Sequence, residues 1–149
     1  MFIITILASL AADRLTKILA KRFLENSLSK RILGELLEFV YVENEGAAFN
    51  SFMGKKLFLL ILTFLLMALL IFYYCKEKEK LPGIEILSLA LIAGGGLGNM
   101  IDRLYYGYVI DFINIHILPV FNIADCCICI GCGLMLLSVF VLNREDKKE

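Results

Sequence analysis

The sequence predicts an all-α membrane protein with four transmembrane helices, and two observations carry that expectation. Charge is segregated: the runs 2–20, 57–75, 84–101 and 120–142 hold 19, 19, 18 and 23 residues, 79 of the 149, yet contain only five of the 30 charged residues. Each run also has the right length, because a 19-residue helix at about 1.5 Å per residue spans about 28 Å, close to the roughly 30 Å hydrocarbon core of a bilayer. With 60% hydrophobic residues and a mean hydropathy of +0.80, the composition excludes a soluble enzyme with one central core, a disordered or collagen-like chain, and a secreted disulfide scaffold. A net charge of zero argues against a nucleic-acid partner.

Taken in order, the first run reads as a retained helix and not as a cleaved leader, since no basic residue precedes it and Asp13, Arg14 and Lys17 interrupt its far half. Residues 21–33 mix basic side chains with Phe23, Leu24, Leu28, Ile32 and Leu33 and could lie along the membrane surface. Residues 35–44 are rich in β-branched and aromatic side chains and too charged to span, which predicts a strand ended by a turn at Asn44-Glu45-Gly46. The second run is wholly apolar. The third carries a charge only at its start, Glu85, together with Gly94, Gly95, Gly96 and Gly98, which would permit close approach of a neighbour or of substrate backbone. The fourth begins at Val120. No internal repeat is present, so an inverted-repeat transporter has no support, and residues 1–149 read as one integral-membrane domain.

Four spans put residues 21–56 and 102–119 on one side, and the short loop 76–83 with the tail 143–149 on the other. The second side holds Lys76, Lys78, Lys80, Arg144, Lys147 and Lys148, six basic residues in 15, against seven in 54 on the first. Basic density near span ends marks the cytoplasmic side, so both termini are expected in the cytoplasm.

Polar residues near the spans all fall on the extracytoplasmic side: Asp13, Lys17, Asn44, Asn99, Asp102, Arg103, Asp111, Asn122 and Asp125. An ionisable group in hydrocarbon costs about 2.5 kcal/mol or more, so a one-sided cluster is a functional site by default. Bland readings compete at several positions. Asp13 and Lys17 have the i,i+4 spacing that neutralises two charges on one helix, Asp102-Arg103 could be a boundary ion pair, and Asn44 before Gly46 could be a turn residue. Asp125 differs, because it lies five residues into the fourth run with no basic residue within four positions. Its expected partner is Asp111, since residues 111–119 can return the chain to the start of that run. Two adjacent carboxylates share one proton, so that one activates water while the other polarises a carbonyl, which is the chemistry of aspartic peptidases.

Metal chemistry has weaker support. Cys126, Cys127, Cys129 and Cys132 crowd one stretch, but they spread around a helix and no second cluster completes a tetrahedral site, so packing between helices is the expectation. The single histidine, His116, stands in a loop without a spaced ligand set and reads as a surface or interface residue. No cofactor is implied.

Five ordered blocks then carry a resemblance. They are Asp13-Arg14-Leu15-Thr16-Lys17, Asn44-Glu45-Gly46-Ala47-Ala48-Phe49, Gly94-Gly95-Gly96-Leu97-Gly98-Asn99-Met100-Ile101-Asp102-Arg103, Val109-Ile110-Asp111-Phe112 and Phe121-Asn122-Ile123-Ala124-Asp125. Over nearly its whole length the chain resembles the lipoprotein signal peptidases, bacterial signal peptidase II. The resemblance implies a four-helix aspartic peptidase of the bacterial cytoplasmic membrane with a small extracytoplasmic β-rich cradle. Its substrates would be lipidated prolipoproteins cut just before a diacylglyceryl-modified cysteine, and its partners those substrates and membrane lipid, with the enzyme a monomer. Asp111 and Asp125 match the catalytic pair, and Asp13, Lys17, Asn44, Gly46, Asn99, Asp102, Arg103 and Asn122 match positions that bind substrate or support the site. The chain departs from the family pattern at Arg14, Gly96 and Cys126. The rival expectation from the carboxylates alone is a small proton-coupled carrier, which should continue its polar residues toward the cytoplasmic side; this chain shows essentially none there.

Overall fold

The computed structural model describes residues 1–26, 29–34, 36–46 and 56–142. Leu28, Glu35, the motif residues Ala47, Ala48 and Phe49, Lys55, and the basic tail residues Arg144, Lys147 and Lys148 lie outside the described residues. Four helices and three strands follow the order α1 (Phe2–Leu24), β1 (Lys30–Leu33), β2 (Leu37–Asn44), α2 (Lys56–Glu77), α3 (Gly83–Tyr105), β3 (Val109–Asn114) and α4 (Ile123–Leu137), the last continued by a π-helical turn, Ser138–Leu142.

Helix α3 is the centre, packed by α1, α2 and α4. Its glycines explain why. A Cβ at Gly94 would strike Ser9 of α1, one at Gly95 the Ala124 carbonyl of α4, and one at Gly96 the Met67 side chain of α2 at 2.8 Å. The expected close approach is therefore to neighbouring helices. Lower on the same face, Ser88 Oγ donates to the Gly131 carbonyl at 2.6 Å, and Ser138 Oγ donates to the buried Glu85 carboxylate at 2.8 Å.

By length and composition α2, α3 and Ile123–Phe140 are apolar enough to cross a membrane. Helix α1 is as long as α3 but carries Asp13, Arg14, Lys17, Lys21 and Arg22. Its inward positions recur at helical spacing as Phe2, Ser9, Asp13, Lys17 and Ala20, so two of the side chains that lower its hydropathy, Asp13 and Lys17, are turned inward. Outward, Ile3, Ile4, Leu7, Leu15 and Ile18 are exposed, as a lipid-facing surface would be.

Residues 21–33 do not form the surface-lying segment expected of them. Helix α1 runs on to Leu24, and Lys30–Leu33 becomes an edge strand, because β2 offers a backbone partner that a lone amphipathic stretch would lack. The antiparallel sheet has the order β1-β2-β3, with Gly34 (φ +55°) turning between β1 and β2 and Gly107 (φ +94°) turning between α3 and β3. The strand expected over 35–44 is found as β2. Val42 stands opposite Asp111 and Asn44 opposite Val109, so Asn44 and Asp111 are diagonal neighbours on one face of the sheet. After β3 the chain returns, with Ile113 N–H donating to the Phe121 carbonyl at 2.8 Å and Phe121 N–H donating to that of Ile113 at 3.0 Å. Helix α4 accordingly starts at Ile123, three residues later than the sequence pattern suggests.

Candidate active site

Asp111 and Asp125 come together through the start of α4. Asn122 is its N-cap: the Asn122 Oδ1 accepts the Asp125 N–H at 2.9 Å, and Asp125 Oδ2 accepts the Asn122 N–H at 3.2 Å, a reciprocal capping box. The same Asn122 side chain donates through Nδ2 to Asp111 Oδ1 at 2.6 Å. Asp125 is thus in the first turn and not deep within a span, and the Asn122 backbone N–H partners a carboxylate that looked unpartnered in sequence.

Amides hold the remaining oxygens. Asn44 Nδ2 donates to Asp111 Oδ2 at 2.8 Å, while its own Oδ1 accepts the Gly46 N–H at 3.0 Å. Asn99 Nδ2 donates to Asp125 Oδ1 at 2.8 Å. The Asn99 oxygen accepts from Lys17 Nζ at 2.8 Å, so the ammonium fixes which way this amide points. Asn99 and Asn122 each donate to a carboxylate oxygen of the pair.

Behind the amides lies a balanced charge cluster. Lys17, 1% exposed, pairs with Asp13 at 3.0 Å and Asp102 at 2.8 Å, both fully buried. Arg14 Nη2 reaches the same two carboxylates at 3.1 and 2.6 Å and also donates to the Gly98 carbonyl at 3.3 Å. Two acids meet two bases. Asp102 takes its cations from α1, so it is not the neighbour pair with Arg103 that the sequence allowed. Arg103 instead donates to the Gly46 carbonyl at 3.0 Å, and its Nε is buried without a hydrogen-bond partner among the described residues. Asp13 does one thing more: its Oδ1 accepts the Ala124 N–H of α4 at 3.0 Å, and it fits only because Gly98 has no Cβ, which would sit 2.5 Å from Asp13 Oδ2.

Because both basic residues of the cluster are spent on Asp13 and Asp102, no ion pair reaches Asp111 or Asp125 among the described residues. Burial pushes the Asp111 carboxyl up to about 6, and the Asp125 charge adds to the rise against the two amide hydrogen bonds that oppose it. A raised carboxylate pKa penalises the ionised folded state, so this penalty is absent below the ordinary value of 3.8 and complete above about 6. The thermal midpoint of Asp111→Asn minus that of the parent, measured in detergent from pH 4 to 8, should therefore climb through the window between those values. A difference that stays flat across it would show that Asp111 keeps an ordinary pKa.

Every residue singled out in the sequence is in or beside this network, and Arg14, which stood only as a departure from pattern, is one of its four charges. The cysteines behave otherwise. Cys129 and Cys132 are exposed on the outer face of α4, Cys126 and Cys127 are half-buried, and all are free thiols. Packing between helices is therefore not the role of Cys129 and Cys132. His116 is exposed at the β3 return with φ 61°.

The sequence model of the family described as Signal peptidase (SPase) II matches residues 5–141. A lipoprotein signal peptidase of Clostridium acetobutylicum is 36% identical over 154 residues, covering 100% of this chain and 98% of that protein. One of Clostridium tetani is 38% identical over 99% of this chain and 98% of its own. Among solved structures, a bacterial membrane enzyme determined by the in meso method at 2.3 Å is similar with a TM-score of 0.88 and 28% identity, over 99% of this chain and 90% of that one.

Proposed function

The chain belongs to the signal peptidase II family, and from that premise we propose that Asp111 and Asp125 are the catalytic pair of an aspartic protease that removes signal peptides from prolipoproteins. The observation that carries this assignment is the disposition of charge. Two carboxylates are clasped by neutral amides and joined by one asparagine, while the nearby cations are engaged elsewhere.

Such a pair works with one proton between its two members. The ionised member takes a proton from a water molecule as it attacks the scissile carbonyl, and the protonated member donates to the carbonyl oxygen. Collapse of the tetrahedral intermediate breaks the C–N bond, and the proton taken from water passes to the departing amine, which becomes the new N-terminus at the lipid-modified cysteine. Asn99, Asn122 and Asn44 serve as positioning residues. Each fixes a carboxylate oxygen without adding positive charge that would lock both groups in the ionised state. Asp13, Lys17 and Asp102 hold Asn99 and the start of α4 in place. Arg103, with a buried free Nε, is the group best placed to meet a substrate carbonyl beside Gly46.

In this reading α1 is the fourth membrane span, its charges turned inward, and the sheet lies on the extracytoplasmic face of the bacterial inner membrane. The carrier alternative has no support from the similarities or from the buried polar groups, which thin out along α3 to Ser88 and the Glu85–Ser138 pair. A substrate whose cysteine carries two acyl chains keeps those chains in hydrocarbon while its peptide bond reaches Asp111 and Asp125, so binding energy from the lipid raises cleavage at a distance. Detergent-purified protein should shorten a lipidated prolipoprotein by its signal peptide and act on the unlipidated precursor roughly tenfold more slowly or worse. Equal rates on both precursors would refute lipid-dependent binding, and no cleavage of either would refute the catalytic assignment.

A further inference from the structure

A second polar feature lies on the far side of the charge cluster from the aspartate pair. A half-open cavity of about 260 Å³ is lined by Arg14, Lys17, Lys21 and Arg22 from one face of α1, with Ile18 beneath them and Tyr106 opposite. Arg14 and Lys17 are balanced by Asp13 and Asp102, but the outer pair is not. Among the described residues Lys21 meets a single carboxylate, Glu25 at 3.8 Å, together with the Tyr108 hydroxyl and the Tyr106 ring, its ammonium 4.6 Å from the centroid. Arg22 lies over the Phe23 ring, and Lys56 Nζ stands within 3.5 Å of where a Gly107 Cβ would be, next to Tyr106. Among the described residues two lining cations, Lys21 and Arg22, thus face one carboxylate at the mouth, with Lys56 near Gly107 beyond the lining. Arg14 adds an Nε that is buried and has no hydrogen-bond partner among the described residues.

We propose that this cavity binds the phosphate-bearing headgroup of an anionic phospholipid from the surrounding bilayer. The chemistry of the walls favours that occupant. Directly below the cations Leu15, Ile18 and Leu19 are exposed along α1, offering a track for acyl chains continuous with the pocket. A phosphate at the mouth neutralises Lys21 and Arg22 where basic density would otherwise oppose an extracytoplasmic placement. The substrate is not the match, since a diacylglyceryl-modified cysteine carries no phosphate. Lys21 and Arg22 also suit the C-terminal dipole of α1, a role that requires no ligand, and lipid selectivity separates the two.

The test equilibrates purified protein with vesicles of equal parts phosphatidylglycerol and phosphatidylcholine, then counts lipids retained after detergent extraction by native mass spectrometry. The parent should retain phosphatidylglycerol about five- to thirtyfold over phosphatidylcholine, the gain expected when one or two cations contact an anionic headgroup. Lys21→Gln/Arg22→Gln should fall to parity with an unchanged melting temperature in detergent, and Lys21→Arg/Arg22→Lys should keep the preference. Parity in the parent, or a preference that survives in the Gln variant, would overturn the assignment. Displacement of the retained lipid by millimolar glycerol phosphate would also overturn it, by showing a site for free phosphate and not for lipid.

Discussion

Asp111→Asn and Asp125→Asn are each expected to lower the rate of prolipoprotein cleavage by about 10²–10⁴-fold, the usual worth of positioned general acid–base help. The fold should survive both changes. At residue 111 an amide oxygen can still accept from Asn122 or Asn44, and at residue 125 it can still accept from Asn99 or from the Asn122 N–H, so each variant loses one hydrogen bond and no packing volume. The chemistry does not survive, because an amide neither takes a proton from water nor hands one to a carbonyl. Single-turnover cleavage of lipidated prolipoprotein, beside a thermal unfolding curve for each protein, provides the measurement. A rate within tenfold of the parent in either variant would remove that residue from the pair.

Lys17→Met should produce the largest loss of stability of any single change at the site. The ammonium is 1% exposed and holds Asp13, Asp102 and Asn99 at once. Removing it leaves two fully buried carboxylates to share Arg14. Breaking a buried pair by deleting one partner costs about 3–5 kcal/mol, because the other charge remains buried and uncompensated, and for a chain of this size that lowers the melting temperature by of order 10 °C. Adding Asp102→Asn restores the balance of one acid to one base, so the double variant should regain part of what Lys17→Met lost. A Lys17→Met protein that melts within about 2 °C of the parent, or a double variant less stable than the sum of its parts, would show that the cluster is not held by charge balance.

The helices were legible because hydropathy and charge segregation act locally: α2 lies within two residues of where the sequence puts it at both ends, and α3 starts within one residue but runs four residues further, to Tyr105. The strand β2 was legible for the same kind of reason, from β-branched and aromatic content. What the sequence could not display were partners far along the chain. Asp102 beside Arg103 looks like a pair, and only the packing of α1 on α3 gives Asp102 to Arg14 and Lys17 instead. The start of α4 was misplaced by three residues because Val120 and Phe121 are as apolar as a helix, yet Phe121 bonds to β3. That shift turned a carboxylate apparently stranded in a span into the closing member of a capping box. Arg14 read as a departure from pattern, since its two partners lie on different elements.

The reach of Asp13 and Lys17 across the fold has a consequence for biogenesis. On the ribosome α1 is made before α3 and α4, so Lys17 waits for Asn99, 82 residues later, and Asp13 for the Ala124 N–H, 111 residues later. At roughly 5–20 residues per second the first delay lasts about 4–16 s. During it the i,i+4 spacing lets Asp13 and Lys17 neutralise each other within one nascent helix. Arg14 has no second carboxylate until Asp102 has been synthesised, so the emerging helix carries one surplus positive charge in its interior turn. Insertion of α1 should for that reason be the slow, reversible step of assembly, completed only when α3 arrives with its acid.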